Sequence, residues 1–339
     1  MTKSRFSLFA TLFLAFALHA GAARADESFC TATAMTLREA CGSEVHDDYS
    51  VARAICINLS DDEERDECFD EARAERTAGH RFCGRQLRWR RDACDVIGEE
   101  RYDPDFDPAD FLTDYHNPVN PNPYFPVRIG NRWEFEGGEE TNIVEVLDET
   151  KLIEGVTCVV FRDQVFDDGD LVEDTDDWYC QALSGDVHYL GEEVKDFESF
   201  DGDDPRLPEL VSMDGSFKHG RDGDKGGLIF PMSPQAGDAH IEEFSLGNAE
   251  DVTEILSTTY SYGAHAELDH LVPQALATYL CSDNCVVTKN YSLLEPGIFA
   301  RKYYARGIGV FLEVKPESGI AVQLVNCNFD ARCGLLPTP

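Results

Sequence analysis

The sequence predicts an α+β protein: an N-terminal disulfide-stapled antiparallel helical hairpin followed by a mainly antiparallel β domain, closed as a barrel, half-barrel or sandwich. Two observations carry this expectation. Six cysteines, Cys30, Cys41, Cys56, Cys68, Cys83 and Cys94, are spaced 11, 15, 12, 15 and 11 residues apart, a palindrome. From Arg128 onward, short apolar alternations are separated by Gly and Asp turns, without strand–helix alternation. That second pattern disfavours a Rossmann or TIM fold.

The mirrored spacing is that of two antiparallel helices with three cross-links, pairing Cys30 with Cys94, Cys41 with Cys83 and Cys56 with Cys68; each pair of numbers totals 124. Steps of 11 and 15 return a side chain to nearly the same helical face. With Cys41, the positions Ala34, Leu37, Glu44, Asp48, Ala52 and Ile55 follow a spacing of three and four, as a packed seam requires. Their mirror partners are Arg90, Leu87, His80, Arg76, Ala72 and Phe69. Leucine then meets leucine, Ile55 meets Phe69, and the acids Glu44 and Asp48 meet His80 and Arg76. Ser60-Asp61-Asp62-Glu63 has the form of a capping box at the start of the second helix. Other connectivities remain open on spacing alone, and Gly42-Ser43 could break the first helix. No Cys-x-x-Cys pair suggests a metal site.

Met1 to Ala25 reads as a secretory signal. Lys3 and Arg5 form the charged start, Phe6 to Leu18 the apolar run, and Ala23-Arg24-Ala25 the small-x-small cleavage site. The apolar run is too short to span a membrane. The 12 cysteines then pair as disulfides in an oxidising compartment, placing the mature chain in the periplasm or outside the cell. Formal charge is −36, and removing Lys3, Arg5 and Arg24 takes it to −39. Such a chain is repelled by nucleic acid and by anionic membrane surfaces. The partner expected instead is an unidentified protein or small-molecule ligand.

Residues 26–97 form the hairpin region. Residues 98–127 are an acidic, Pro-rich linker with Asp103-Pro104, Asp107-Pro108, Asn117-Pro118 and Asn120-Pro121-Asn122-Pro123, read as a solvated spacer whose end is anchored by Tyr124-Phe125-Pro126. The β domain spans 128–326. Its expected strands are Arg132–Glu136, Ile143–Leu147, Val156–Phe166, Val172–Ala182, Val187–Gly191, Ala239–Phe244, Val252–Tyr260, Val286–Tyr291, Ile298–Ala305, Val310–Lys315 and Ile320–Val325. A hairpin folded about Gly169 sets Cys158 opposite Cys180, whereas a four-residue loop sets Cys158 opposite Tyr179. Cys281 with Cys285, and Cys327 with Cys333, each close a small loop, or the four cross-pair. Residues 327–339 form a C-terminal disulfide loop and tail. Between strands, Ala264 to Leu280 has helical spacing at Leu268, Leu271, Val272, Ala275, Leu276 and Tyr279, with Pro273 as a kink; a helix covering the sheet is expected.

Four stretches of the β region carry a resemblance: Asn122-Pro123-Tyr124-Phe125-Pro126 with Gly130 and Trp133; Trp178-Tyr179-Cys180-Gln181 followed by Gly185 to Glu192; Leu294-Glu295-Pro296-Gly297; and Lys302 to Gly309. Together they resemble a family of bacterial secreted β-rich proteins over about residues 117–325. No activity is attached to that family, so no functional residue follows from it. The ending Tyr303-Tyr304-Ala305-x-Gly307-x-Gly309 is also similar to the last strands of envelope half-barrel proteins that hold apolar ligands. The segment Ala264–Asn284, the extra cysteine pairs and the helical hairpin fall outside the family pattern.

Candidate chemistry is sparse. Calcium is the one cofactor the sequence suggests, through the acidic loops holding Asp167, Asp168 and Asp170, Asp201 and Asp203, and Asp222 and Asp224; the Asp174-Thr175-Asp176-Asp177 run is read with them. None matches the EF-hand loop, and solvated turns are the preferred reading. His265 and His270 lie five residues apart, on different helical faces, and His188, His219 and His240 are scattered. No Gly-x-Ser-x-Gly elbow and no phosphate loop occur, so no catalytic residue is assigned. The basic cluster Arg81, Arg85, Arg88, Arg90 and Arg91 pairs with acids of its own hairpin or docks on the β domain. Three functions fit: a non-catalytic binding or structural module, a calcium-binding acidic protein, or a hydrolase with a carboxylate pair in a β cleft.

Overall fold

In the computed structural model, residues 28–338 are described; the expected signal segment lies outside them. Helix α1 (Phe29–Ile57) and helix α2 (Asp62–Ile97) form the antiparallel hairpin. Disulfides join Cys30 to Cys94, Cys41 to Cys83 and Cys56 to Cys68, with Cα separations of 5.7, 5.8 and 5.6 Å. Asp61, rather than Ser60, caps α2, accepting from the Glu63 and Glu64 amides at 2.9 and 3.0 Å. Gly42-Ser43 lies inside α1 without breaking it.

The seam differs from expectation by one residue along part of α1. Glu44, Asp48 and Ile55 are exposed, and Val45, Tyr49 and Cys56 turn inward instead. The path from Cys41 to Cys56 runs through Val45, Tyr49 and Ala52, which keeps both cysteines on the seam. Gly79 sits opposite Val45; a Cβ there would lie 2.8 Å from Val45 Cγ2. Those two numbers also total 124, so the register holds although the acids do not face their mirror partners. Arg76 lies over the Tyr49 ring, 4.2 Å from its centroid, rather than against Asp48.

The segment 98–127 is not a solvated spacer. It is strapped along the barrel. The Tyr102 hydroxyl donates to the Gly226 carbonyl at 3.0 Å, Phe111 bridges to Ala182, and Tyr115 is 1% exposed. Asn122 is equally buried; its side chain donates to the Gly185 carbonyl and accepts from the Tyr124 and Phe125 amides. The prolines keep this chain extended, and aromatic residues at intervals anchor it. The acidic composition hides those spaced anchors.

Sixteen strands follow: β1 (Arg132–Gly137), β2 (Glu140–Ile153), β3 (Val156–Asp167), β4 (Asp170–Gln181), β5 (Val187–Glu193), β6 (Asp196–Glu198), β7 (Glu209–Ser212), β8 (Phe217–Lys218), β9 (Lys225–Phe230), β10 (Ala239–Ile241), β11 (Glu243–Phe244), β12 (Asp251–Tyr260), β13 (Cys285–Ser292), β14 (Ala300–Ala305), β15 (Gly309–Lys315) and β16 (Ile320–Cys327). Every strand pair is antiparallel. The order is β10-β12-β13-β14-β15-β16-β1-β2-β3-β4-β5-β9-β11. Its two ends, β10 and β11, are consecutive in the chain and separated by Glu242 alone. One short segment therefore pairs with β12 on one side and β9 on the other, so the sheet curls into a nearly closed barrel. Short strands β6 to β9 carry too little alternation to be legible in the sequence.

Between β3 and β4 the turn is the two-residue pair Asp168-Gly169, both with positive φ, as a tight hairpin requires. A bulge beside Val165 then restores the register that sets Cys158 opposite Cys180, and these form a disulfide with Cα atoms 4.2 Å apart. Cys281–Cys285 and Cys327–Cys333 close local loops. The expected helix over 264–280 shortens to α3 (Gln274–Leu280), because Leu271 has φ +65° and Pro273 stands at the helix start. The segment covers the outer face of β14: Arg301 donates to the Glu267 carbonyl at 2.9 Å, and Leu268, Leu276 and Leu280 are buried.

The hairpin rests on the barrel seam. Trp89, Ala93 and Ile97 of α2 pack with Ile241, Val252 and Tyr291. The Trp89 indole donates to the Ser292 carbonyl at 2.9 Å. Of the basic cluster, Arg90 pairs with Glu250 of the β domain and not with an acid of its own hairpin.

Candidate ligand-binding lumen

The nearly closed barrel holds a half-open cavity of about 520 Å³. Side chains of alternate residues line it, as strand geometry dictates. Strand β2 supplies Glu140, Asn142 and Val144, and β3 supplies Phe161, Asp163 and Val165. Glu173, Asp177 and Tyr179 come from β4, Lys302 and Tyr304 from β14, and Glu313 and Lys315 from β15. Trp133 and the strap residues Tyr124 and Phe125 add aromatic surface. The run Asp174-Thr175-Asp176-Asp177, read with the acidic loops as a calcium candidate, lies within β4, where the strand over Val172–Ala182 is expected. Asp174 pairs with the Arg162 guanidinium through two bonds of 2.8 and 2.6 Å, while Asp177 points to the lumen.

The lumen concentrates carboxyl groups in a poorly solvated place. Burial, then the neighbouring Asp177, pushes the Asp163 carboxyl well above its usual range. Burial likewise pushes Asp177 up to about 7, Glu192 up to about 9 and Glu242 up to about 7. Tyr189 stands between Asp177 and Glu192, with its hydroxyl in hydrogen-bond contact with both, 2.7 Å from Glu192 Oε2. A phenol has one proton to donate. If it donates to Asp177, Glu192 must carry a proton and donate to the Tyr189 oxygen. The raised pKa of Glu192 agrees with this.

Cations are few. Lys302 is disfavoured by burial, yet the surrounding carboxylates, Glu313 first, hold its pKa above the usual lysine range. Its Nζ lies 3.9 Å from Glu313, and Lys315 lies 3.7 and 3.8 Å from Glu313 and Glu140. Two acceptors of the wall, Asn142 Oδ1 and Asp163 Oδ1, are buried without a hydrogen-bond partner. Glu242, at the seam, is satisfied by Asn290 and the Thr253 hydroxyl.

None of the seven acids expected to hold calcium lines this cavity. Asp168 forms a tight turn, Asp170 and Asp201 lie 2.7 and 3.6 Å from the Arg206 guanidinium, and Asp222 lies 3.8 Å from Arg221. Asp203 closes the turn that holds Asp201, its amide donating to the Phe200 carbonyl, and Asp224 faces the Lys218 amide. Among the described residues these acids form no three-ligand cluster; the group that does, Cys30, Cys94 and Glu99, contains two disulfide-bonded sulfurs. The histidines are also dispersed. His188 and His219 flank the strap residue Phe106 on the outer face, their rings 5.3 and 4.9 Å from it, and burial lowers both pKa values. His265 contacts Glu267 at 3.8 Å, and Arg301 donates to the His270 carbonyl.

The lumen residues were missed in the sequence because 65 acids are present and none stands out by type. A usable signal existed: Glu173-x-Thr175-x-Asp177-x-Tyr179 and Phe161-x-Asp163-x-Val165 place acids on the same face of a strand as apolar or aromatic residues. Comparison of the chain with protein-family models, curated proteins and solved structures finds no match.

Proposed function

We propose that this chain is a secreted or periplasmic, non-catalytic binding protein that takes a small molecule into its barrel lumen. The observation that carries this reading is the cavity of about 520 Å³, within the usual range of small-molecule pockets, about 300–1,000 Å³. Its wall joins aromatic faces to acids and two lysines, which supply the polar groups that fix a ligand's orientation. The six disulfides suit an oxidising compartment. The helical hairpin, with one end against the seam, serves as a docking arm.

Thermal-shift screening of the mature protein against a chemically diverse library tests this, with Val144→Trp as a lumen-filling control. Stabilisation by one compound class, lost in V144W, is expected. Ligands that stabilise both proteins equally would place binding elsewhere.

A second reading, a hydrolase, is favoured by one observation: Asp163 and Asp177 share the lumen wall and burial raises both carboxyl pKa values. Turnover of a chromogenic glycoside or ester that survives purification and is abolished by D177N would replace the binding reading.

A further inference from the structure

We infer that the ligand of the lumen is an organic cation bearing N–H donors, a protonated amine or guanidinium. This rests on the reading of the lumen as a ligand site. Three features of the wall converge on it.

The first is charge. Glu140, Asp163, Glu173, Asp177 and Glu313 face two lysines, and no arginine lines the cavity. Burial and neighbouring acids favour the protonated forms of Asp163 and Asp177; a cation would stabilise their charged forms in place of those protons, whereas an anion would meet further repulsion. The second is hydrogen bonding. Asn142 Oδ1 and Asp163 Oδ1 lie on neighbouring strands, where Asp163 pairs with Val144, the second residue beyond Asn142. Neither atom has a donor in good hydrogen-bond geometry, with the Asn142 side chain standing beside the Asp163 carboxyl, and once ionised Asp163 is an acceptor only. A buried acceptor left unpaired is costly, and an N–H group supplies what both lack. A quaternary ammonium has no such proton. The third is the aromatic surface of Phe125, Trp133, Phe161 and Tyr179, whose ring faces attract cations.

A bare metal ion fits less well. Among the described residues the lumen acids do not bring three ligand atoms within 4.8 Å of one another, whereas calcium takes six to eight oxygens. An organic cation spans the distance between carboxylates and uses the rings as well.

Isothermal titration of the intact, disulfide-bonded mature protein at neutral pH and near-physiological salt tests the inference. The probes are spermidine and agmatine, with choline, hexanoate and hexanol as comparisons. One amine or guanidine per chain is expected to bind, with choline weaker by about tenfold or more and Asp163→Asn weakening the amine by about tenfold. Val144→Trp should remove binding. The choline comparison uses the unaltered protein, so it stands even if D163N folds poorly. Binding of hexanol or hexanoate but not the amines, lost in V144W, overturns the cation and leaves the lumen reading intact. Amine binding undiminished in V144W reports condensation on the acidic surface and overturns the inference. If none of the five probes binds, the cation and the lumen readings both fall.

Discussion

Arg90 of α2 and Glu250, just before β12, join the helical hairpin to the barrel seam through two hydrogen bonds: Nε to Oε2 at 3.1 Å and Nη2 to Oε1 at 2.7 Å. Both side chains are about 95% buried, and Glu250 also accepts from the Gly247 amide at 2.6 Å. Removing one partner strands a buried charge, which costs about 3–5 kcal/mol. Arg90→Met is therefore expected to lower stability by that amount in urea titration. The double variant R90M/E250M should recover much of the loss, because neither charge then remains. Unchanged stability in R90M would show that the pair contributes little to docking.

The strap is expected to be as rigid as the barrel. The Tyr115 hydroxyl donates to the Thr157 carbonyl at 3.0 Å and accepts from the Gln181 amide at 3.1 Å. Tyr115→Phe leaves both groups unpaired and should cost about 1–3 kcal/mol. The Tyr124 and Phe125 amides, held by Asn122 Oδ1 at 2.9 and 3.1 Å, should exchange hydrogen slowly. Fast exchange at these amides would return the segment to a solvated spacer.

The three hairpin disulfides should differ in what they contribute. Cys30–Cys94 closes a separation of 64 residues and Cys56–Cys68 one of 12. Because Cys41–Cys83 stays closed inside it, the outer bridge effectively closes a ring of roughly 24 residues, and loop-closure entropy assigns each bridge about 3 kcal/mol, slightly more to the outer one. Paired serine substitutions, compared by thermal unfolding, should show the Cys30–Cys94 variant as the less stable.

Stability should fall as the pH rises from 7 to 9. Burial raises the folded-state pKa of Asp177 and Glu242 to about 7 and of Glu192 to about 9. The folded protein thus holds protons that the unfolded chain has already released. Raising the pH through these values removes them and favours unfolding. Below about 6.5 the histidines oppose this trend. Burial lowers the pKa of His188, His219 and His240, the last to about 4, so acidification protonates the unfolded chain first. Melting temperatures across the alkaline window check the sign. Glu192→Gln should flatten the slope, and a flat wild-type profile would remove the buried acids as its cause.

How much was legible depends on distance along the chain. Eleven strands, the hairpin and its three staples follow from local regularities: a period of two, a period near 3.6, and cysteine spacings that mirror about one turn. The Asp168-Gly169 turn and the Cys158–Cys180 bridge belong to the same class, because neighbours set them. Even there, side-chain detail shifted: Val45 and Tyr49 displaced Glu44 and Asp48 at the seam, since the apolar neighbours are the ones that lose water on packing.

The tertiary structure alone decided the rest. Which of 65 acids face inward depends on the curl of the sheet, and the curl closes through one segment, Ala239–Phe244, pairing in two directions at once. Arg90 meets Glu250 across 160 residues, a contact no periodicity encodes. A strand pattern states only that alternate residues share a face. Whether that face is solvent or a carboxylate-lined lumen is fixed when distant strands pair, because burial, and with it the pKa of Asp177 and Glu192, is a property of the nearly closed barrel.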